Sequence, residues 1–594
     1  MNRSRFSTWH GRPGRGFRIW MPALALLILP AAAKEFTIVT PLGEIQVDVP
    51  HLTPQGAVVT PEAASVSVFR PPTIFSAPLP SGSGARALGL AGAFTAVADD
   101  ATAASWNPGG LTQLERPEAS LVYRSSREHD THRVDSQTMR VGSDSYDSYG
   151  LNYFSGVLPF EVAKRNFVVS INYQEAYDFA QRFTADFTDR SSRRVTDASQ
   201  ATASSSFTET YVLGNGEVFL TSDITTETIR TLDQALASEM LTALDFEQQG
   251  LIDAVTPAFA VELTPKLSVG GSLNFYADDL FGRDPIRSTT TARFEGRTDS
   301  VVDITEQKTT SGAWYYDAVA HVPPFGNFPG FDVPFPRVEG VYEPFTDRTA
   351  SRDGDQLYYD GTIVEENRTD DLSGQNATLG ALWTVSRLLG LGFAVDLPWT
   401  AEATQQRTVS ESVTTYDASR TRVLNVSETS FSETRDVEYR FPLYWAAGAV
   451  LRLMDEFYVT MDVSQTLWSD FYFKAEGEEK LNPLDGTPHG QNPLDDCWSV
   501  RAAMEYMLFF SKVEIPLRAG VGWEQRPAVG EPDEFWNFSL GTGLSLGSEP
   551  RRVILDVAYL CSIGENAYGS LIPGTGMTSD VEEHQIYVSG IVHF

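Results

Sequence analysis

Two short patterns in the sequence combine residue types that can carry out chemistry. Gly543, Ser545 and Gly547 have the spacing of a nucleophile elbow, which presents a serine on a sharp turn between a strand and a helix. Ser545 instead falls on the polar side of an alternating strand pattern, so we do not expect a hydrolase. His129 and His132 could ligate a metal ion, but the sequence fixes no third ligand beside them.

Charged residues and cysteines give no firmer chemical signal. Acidic residues cluster at 353–355, 365–366 and 370–371, but their spacing does not fit an EF-hand calcium loop. The 78 acidic and 45 basic residues give a formal net charge of −33, which argues against nucleic-acid binding. Cys497 and Cys561 make no disulfide framework, and their positions leave open whether they pair. We therefore expect no enzymatic activity, no cofactor and no metal site.

The elements that surround these residues alternate strictly in polarity. In residues 536–546, one face carries Trp536, Phe538, Leu540, Leu544 and Leu546, and the other carries Asn537, Ser539, Gly541, Gly543 and Ser545. A period of two predicts strands with one apolar face, and small polar residues on the opposite face are typical of a barrel lumen. Fourteen segments show this pattern: 118–124, 148–156, 166–175, 256–264, 267–276, 376–386, 390–397, 443–453, 456–465, 498–508, 516–525, 536–546, 552–561 and 585–594.

The links between these segments alternate between short and long without a break. Thr264-Pro265-Lys266 is a short link, whereas residues 277–375 form a long one. Outer-membrane barrels have an even number of strands, short periplasmic turns and longer extracellular loops. The sequence therefore predicts an all-β fold, an antiparallel transmembrane β-barrel of about fourteen strands over residues 118–594.

Both ends of the chain fit export to the outer membrane of a Gram-negative-type bacterium. Residues 1–33 combine a basic start, an apolar run and three alanines, which is the pattern of a cleaved signal peptide. Removing the five arginines of this segment changes the net charge from −33 to −38 (−33 − 5). Residues 34–81 are rich in proline and read as an extended arm. Phe594 ends the last strand pattern, and we expect the barrel-assembly machinery to recognise it.

The long links contain patterns of their own. Thr- and Ser-rich alternation at 181–210, 286–312 and 401–440 predicts strands that extend above the membrane. Residues 231–254 suggest an amphipathic helix, because Leu232, Leu236, Met240 and Leu244 recur every four positions. Proline- and glycine-rich residues 321–345 contain the aromatic residues Phe325, Phe328, Phe331, Phe335, Tyr342 and Phe345. We expect Phe325, Phe328, Phe331, Leu236 and Met240 to offer an apolar surface that captures ligand, or to pack loops against one another.

Residues 82–117, just before the first barrel strand, are dominated by Ala and Gly. Small side chains allow a backbone to pack closely against a wall, and Asn107, Pro108 and Gly109 form a turn signal. This composition predicts a hatch folded inside the barrel; the alternative is an Ala/Gly helix in the periplasm.

The run GARALGLAGAFTAVADDATAASWNPGGL, which begins at Gly84, resembles the N-terminal signature of the FadL/TodX superfamily of outer-membrane transporters. It is still more similar to the related PorV-type barrels, except that Gly109 stands where the family usually has Ala. The resemblance implies a hatch-plugged barrel of fourteen strands that passes hydrophobic molecules inward, and in the FadL relatives the substrate is thought to leave through a gap in the barrel wall. It covers about thirty residues and carries over no substrate contact.

Two function classes follow from these observations. One is passive, hatch-gated uptake of hydrophobic small molecules, such as long-chain fatty acids or hydrocarbons. The other is a PorV-like scaffold or shuttle protein for secretion or surface assembly. The expected partners are outer-membrane lipid and lipopolysaccharide, the hydrophobic ligand and the barrel-assembly machinery.

Overall fold

The computed structural model describes residues 35–40, 43–48, 82–135, 137–213, 216–278, 280, 286–325, 328–510, 513–548, 551–567 and 577–594. The signal-peptide prediction for residues 1–33 lies outside them. The helices are α1 (Ala85–Gly89), α2 (Ala103–Trp106) and two 3-10 turns (Pro108–Gln113 and Trp468–Asp470). The strands are β1 (Glu35–Thr40), β2 (Gly43–Asp48), β3 (Glu118–Arg133), β4 (Met139–Val141), β5 (Ser143–Val162), β6 (Arg165–Asp178), β7 (Gln181–Leu213), β8 (Gly216–Gln249), β9 (Leu251–Thr264), β10 (Leu267–Ala277), β11 (Ile286–Val322), β12 (Phe331–Pro334), β13 (Val338–Thr384), β14 (Leu389–Asp396), β15 (Trp399–Tyr416), β16 (Val423–Phe441), β17 (Tyr444–Met454), β18 (Phe457–Thr466), β19 (Tyr472–Ala475), β20 (Cys497–Phe509), β21 (Val513–Arg526), β22 (Asp533–Ser548), β23 (Arg551–Ala567) and β24 (Thr578–His593).

Fourteen of these strands close into one antiparallel ring. Its order is β3, β5, β6, β9, β10, β13, β14, β17, β18, β20, β21, β22, β23 and β24. β24 then pairs with β3, from Thr578 opposite Arg133 to His593 opposite Glu118, and so closes the barrel. Each predicted segment falls on one of these strands and extends beyond it by at most two residues, so the prediction of a fourteen-stranded antiparallel barrel is confirmed.

The wall strands place apolar side chains outward and small or polar ones inward. In β22, Trp536, Phe538 and Leu540 are exposed on the outer surface, while Asn537 and Ser539 are buried inside. A closed barrel satisfies its own backbone hydrogen bonds, so its apolar exterior can face lipid. The wall therefore has the build of a membrane-spanning barrel.

Short turns join the wall strands at one end of the barrel. Ala163 and Lys164, between β5 and β6, both have positive φ, of 53° and 62°, as in a two-residue hairpin turn. Phe594 lies at the same end, directly after β24, where its backbone N–H donates to the Pro117 carbonyl at 3.0 Å. The long connections all leave from the opposite end.

At that opposite end, the long connections form a second sheet. We define the extended sheet as β7, β8, β11, β15, β16 and residues 338–371 of β13. Its central pairings join β7 to β8, β8 to β11, and β11 to β13 over almost their full lengths. The 33 residues of β7 correspond to roughly 100 Å of extended chain. The predicted strands at 181–210, 286–312 and 401–440 belong to this sheet.

The helix predicted over residues 231–254 is wrong, because those residues belong to β8 and the start of β9. A repeat of four is also a multiple of two, so Leu232, Leu236, Met240 and Leu244 share one face of a strand as readily as one face of a helix. Pairing decides between them, because β8 has hydrogen-bonded neighbours on both sides. No helix among the described residues is long and apolar enough to span a membrane.

Candidate functional site

Residues 82–114, defined as the lumenal segment, form a compact chain of short turns. α1, α2 and the 3-10 turn Pro108–Gln113 are joined through buried Ala and Gly residues. Phe94 is the only phenylalanine of the segment; it is fully buried and packs edge-on against Trp106 at 6.2 Å between ring centroids. Small side chains leave little room between the segment and the wall.

The lumenal segment meets the inward-facing side of every strand in the ring. In barrel order, the wall residues that it contacts are Glu118, Tyr153, Asn166, Ala258, Gly270, Gly380, Gly392, Gly448, Asp462, Glu505, Gly520, Gly541, Ala558 and Tyr587. A segment that touches all fourteen strands of a closed ring from this side lies within the lumen.

Asn107 fixes the turn that crosses the lumen. Its side-chain amide donates to the carbonyl of Thr95 at 2.7 Å and to that of Ala381 in β13 at 3.0 Å. Its Oδ1 accepts from the backbone N–H of Gly109 at 3.1 Å and so caps the 3-10 turn that begins at Pro108. Gly109 lies so close to the wall that a Cβ there would be 2.9 Å from Ala381 Cα. An alanine at this position would require the wall to shift.

A buried ionic network ties the lumenal segment to the wall. Arg86 of α1 forms ion pairs with Asp99 and, at 3.3 Å, with Glu505 of β20. Glu505 also accepts from Arg518 of β21 at 2.5 Å, and Arg518 reaches Asp556 of β23 at 2.6 Å. The side chains of Arg518 and its two partners are at most 4% exposed. Removing one partner would leave a buried charge uncompensated.

Beyond the lumenal segment, toward the extended sheet, the lumen widens into a cavity of about 360 Å³. Leu88, Ala91 and Trp106 line its floor, and Tyr177, Tyr276, Asp396, Trp399, Tyr444 and Trp468 line its far end. The volume lies within the range of small-molecule sites, roughly 300–1,000 Å³. The barrel therefore holds a ligand-sized space between the lumenal segment and the mouth.

Stacked aromatic rings form a layer at the far end of this cavity. Tyr276 stacks on Trp399 at 3.9 Å between ring centroids, and Trp399 stacks on Phe441 at 4.3 Å. Tyr177 packs against Phe441 at 4.8 Å. We define these four residues as the aromatic layer; beyond it lies a smaller cavity of about 20 Å³, with room for roughly one water molecule.

The charged side chains that line the cavity are mostly paired. Arg124 pairs with Asp178, while Arg526 reaches Glu524 at 3.1 Å and Glu583 at 3.2 Å. In all, the lining contains three arginines (Arg124, Arg501 and Arg526) and five carboxylates (Glu128, Asp178, Asp396, Glu524 and Glu583). Three positive and five negative groups give the cavity wall a formal charge of −2 (3 − 5).

The residues that we expected to capture ligand lie far from this cavity. Phe325, Phe328 and Phe331 are at the distal tip of the extended sheet, and the first two are 86% and 76% exposed. β11 advances 36 positions (322 − 286) from the mouth to this tip, a distance on the order of 100 Å. Met240 pairs with Gly296 in β11, roughly 30 Å from the start of that strand. Met240 therefore does not lie near the three phenylalanines at the tip. Leu236 lies four residues before Met240 in β8; its capture role, like theirs, stays a prediction.

Other residues singled out in the sequence are kept apart by the strands that carry them. His129 and His132 are an odd number of positions apart in β3, so their side chains lie on opposite faces, one exposed and one buried. Ser545 lies within β22 rather than on a strand-to-helix turn. Cys497 and Cys561 are free thiols in β20 and β23, with two strands between them.

The aromatic layer and Asp396 were not identified from the sequence. Tyr177, Tyr276 and Trp399 come from distant parts of the chain, and only the closure of the barrel brings them together. The sequence did contain an indication, because each of these three aromatic residues lies at the C-terminal end of a predicted strand or two residues beyond it. Asp396 interrupts an otherwise apolar strand pattern two positions before Pro398.

Comparison with known proteins gives structural similarity only. No family model matches the chain, and no curated protein matches it. The chain is similar in structure to a Pseudomonas aeruginosa FadL homologue, with 13% identity, a TM-score of 0.45, and coverage of 88% of this chain and 99% of that one. It is also similar to the monoaromatic hydrocarbon channel CymD (12% identity, TM-score 0.40, coverage 86% and 98%) and to the Ralstonia pickettii toluene transporter TbuX (13%, 0.38, coverage 86% and 98%).

Proposed function

We propose that this chain is an outer-membrane transport protein for the passive uptake of hydrophobic small molecules. The observation that carries the proposal is the cavity of about 360 Å³ between the lumenal segment and the aromatic layer. Such a space suits a molecule that is stripped of water and held, whereas ions and sugars cross open pores in hydrated form.

The wall of the barrel supports a placement in the outer membrane. Apolar side chains such as Phe538 and Leu540 face outward, as a lipid environment requires. In this orientation the short turns and Phe594 face the periplasm, and the extended sheet projects from the cell surface. Ligand then enters from the side of the extended sheet and meets the aromatic layer first.

In this proposal the lumenal segment acts as a hatch. It contacts every wall strand, and Arg86 ties it to Glu505, so a ligand in the cavity cannot pass below it while these contacts hold. Release requires either movement of the lumenal segment or an opening elsewhere in the wall. The hatch role rests on the close packing of Gly89 against Gly541 and of Gly109 against Ala381.

The test combines uptake and conductance measurements on the purified full chain. In lipid vesicles, we expect uptake of an uncharged aromatic compound above that of protein-free vesicles. In a planar bilayer, we expect no large steady conductance. Removal of residues 82–114 should open the lumen and raise the conductance. Large conductance of the native chain, together with no binding of hydrophobic compounds, would contradict the proposal.

One observation favours a second function, a scaffold for secretion or surface assembly. The extended sheet reaches on the order of 100 Å from the mouth and ends in exposed aromatic residues such as Phe325 and Phe331. Exposed apolar patches of this kind often contact other proteins. A photo-crosslinker at Phe331 in intact cells tests it: one discrete surface-protein adduct supports the scaffold, and labelling of lipid alone contradicts it.

A further inference from the structure

The far end of the cavity combines aromatic rings with one carboxylate that is not neutralised. Asp396 is the last residue of β14, and its strand partners are Thr378 on one side and Tyr444 on the other. Its side chain lines the cavity together with Tyr177 and Tyr276. The Thr378 side chain hydrogen-bonds the Asp396 carboxylate, but its buried Oδ1 atom has no hydrogen-bond partner among the described residues.

Asp396 differs in this respect from other carboxylates in the same cavity. Asp178 is paired with Arg124, and Glu524 is paired with Arg501 and Arg526. Among the described residues, no Lys, Arg or His forms an ion pair with Asp396. A carboxylate with a buried oxygen and no paired cation is costly, so a positive group brought by a ligand would be stabilised there.

The aromatic rings around Asp396 are held in place. The Tyr276 hydroxyl donates to Asn376 Oδ1 at 3.2 Å, and the Asn376 amide donates to the Leu397 carbonyl at 2.9 Å. Stacking on Trp399 fixes the opposite side of the Tyr276 ring. The faces of aromatic rings attract cations, most strongly where water is excluded. Rings and a carboxylate in one cavity are the two elements that recognise an ammonium group.

We propose, on the basis of the proposed function, that this cavity selects hydrophobic organic cations, with a quaternary ammonium or protonated amine beside Asp396 and an apolar body toward Leu88, Ala91 and Leu560. The charge of the rest of the wall agrees with this assignment. The arginines Arg124, Arg501 and Arg526 are already engaged by carboxylates, and the wall carries a formal charge of −2. A fatty-acid carboxylate would meet no free arginine there and would be repelled, whereas a cation is drawn in.

The experiment compares two compounds of the same shape that differ in charge. The probes are 3-hydroxyphenyltrimethylammonium and its uncharged isostere 3-tert-butylphenol, with 4-tert-butylbenzoate as the anion. Binding to the full chain in lipid nanodiscs is measured by tryptophan fluorescence, with empty nanodiscs subtracted. We expect the cation to bind at least about tenfold more tightly than the neutral isostere, and the anion to bind most weakly.

Substitutions assign this preference to the proposed residues. Asp396→Asn keeps the shape of the side chain and should weaken cation binding about tenfold, with binding of the neutral phenol unchanged to within about twofold. Tyr177→Leu should also weaken the cation selectively, whereas Tyr177→Phe keeps the ring and should not. Asp455→Asn, at the short turn between β17 and β18, is the matched control. It should change neither the binding of the cation nor the binding of the neutral phenol.

The outcomes separate this inference from the proposed function. Equal binding of cation and neutral isostere to the native chain, or an equal loss of both in Asp396→Asn, would overturn the cation assignment and leave hydrophobic uptake standing. If neither compound binds to the folded native chain, both proposals fail.

Discussion

The wall of the barrel and the extended sheet place their apolar residues on opposite faces, and a single strand shows how. In the wall part of β13, Leu379 and Trp383 are exposed outward. In the extended part of the same strand, Ile363 faces inward and is 2% exposed. All three positions are odd-numbered, so an unbroken strand would place them on the same face.

A β-bulge between the extended part and the wall part of β13 accounts for this change of face. Asp371 has a φ of 57°, and the pairing of β13 with β15 shifts register between Asp370 and Ser373. Before the bulge the last buried residue is Thr369, and after it the first buried residue is Leu372. The inward face of β13 therefore changes from odd-numbered to even-numbered positions. One additional residue thus lets a strand leave lipid and enter water with its apolar side chains correctly placed in both.

Deletion of Asp371 should have the largest effect on assembly of the barrel. Removing one residue turns either Leu379 and Trp383 into the lumen or Ile363 into solvent, because a slip of one position exchanges the faces of a strand. We expect no folded barrel in the outer membrane, measured by heat-modifiable mobility on gels. Asp371→Asn keeps the residue count and tolerates positive φ, so it should assemble normally. Normal assembly of the deletion would refute the role of the bulge.

Deletion of Phe594 should also prevent assembly, for a different reason. Phe594 is 63% exposed and follows the strand that closes the ring, so its loss removes a recognition element and little folding energy. We expect most of the truncated chain to remain in the periplasm, measured by membrane fractionation. Phe594→Tyr keeps an aromatic ring and should assemble. Normal outer-membrane yield of the truncated chain would exclude this role.

Arg518→Ala removes a buried positive charge from the lumen. It leaves Glu505 and Asp556 without their shared partner and should lower the free energy of unfolding by about 3–5 kcal/mol. Arg190→Ala breaks the exposed pair with Glu239 in the extended sheet and should cause no measurable change. Urea unfolding of both variants in lipid vesicles measures the difference. An equal change in the free energy of unfolding in both variants would contradict a difference between the ion pairs of the lumen and those of the extended sheet.

Gly380→Val should loosen the lumenal segment without breaking the wall. A side chain at Gly380 collides with Asn107, whereas one at Gly156 on β5 meets open space. The readout is the labelling rate of Ala96→Cys in a chain whose two native cysteines are replaced by serine. We expect Gly380→Val to speed labelling and the matched Gly156→Val to leave it unchanged. Equal rates in all three chains would argue that the lumenal segment is not held by β13.

The smallest effect on uptake should come from the tip of the extended sheet. Replacing Phe325, Phe328 and Phe331 together with Ser changes exposed positions on the order of 100 Å from the mouth. We expect uptake and cavity binding to stay as in the native chain. Reduced uptake would support the sequence-based hypothesis that these residues capture ligand, and would contradict the separation of the two regions.

The strands of both regions could be predicted because alternation is local and visible in every segment. The helix predicted at 231–254 failed because spacings of four are shared by both structures, and only the pairing of β8 with β7 and β11 distinguishes them. The bulge at Asp371 could not be predicted, because its evidence is a change of face, which requires knowledge of where the core lies. The aromatic layer could not be predicted for a related reason, because Tyr177 and Phe441 become neighbours only when the barrel closes.

β13 runs for 47 residues from the distal tip of the extended sheet to the short turn before β14. The same strand that is exposed at Val341 is anchored in the wall at Trp383, next to β10 and β14. A pull on the tip along the strand would therefore act on the hydrogen bonds to its neighbours in shear, with many bonds sharing the force at once. Tension applied at the distal tip would consequently reach the wall of the barrel through one continuous polypeptide strand.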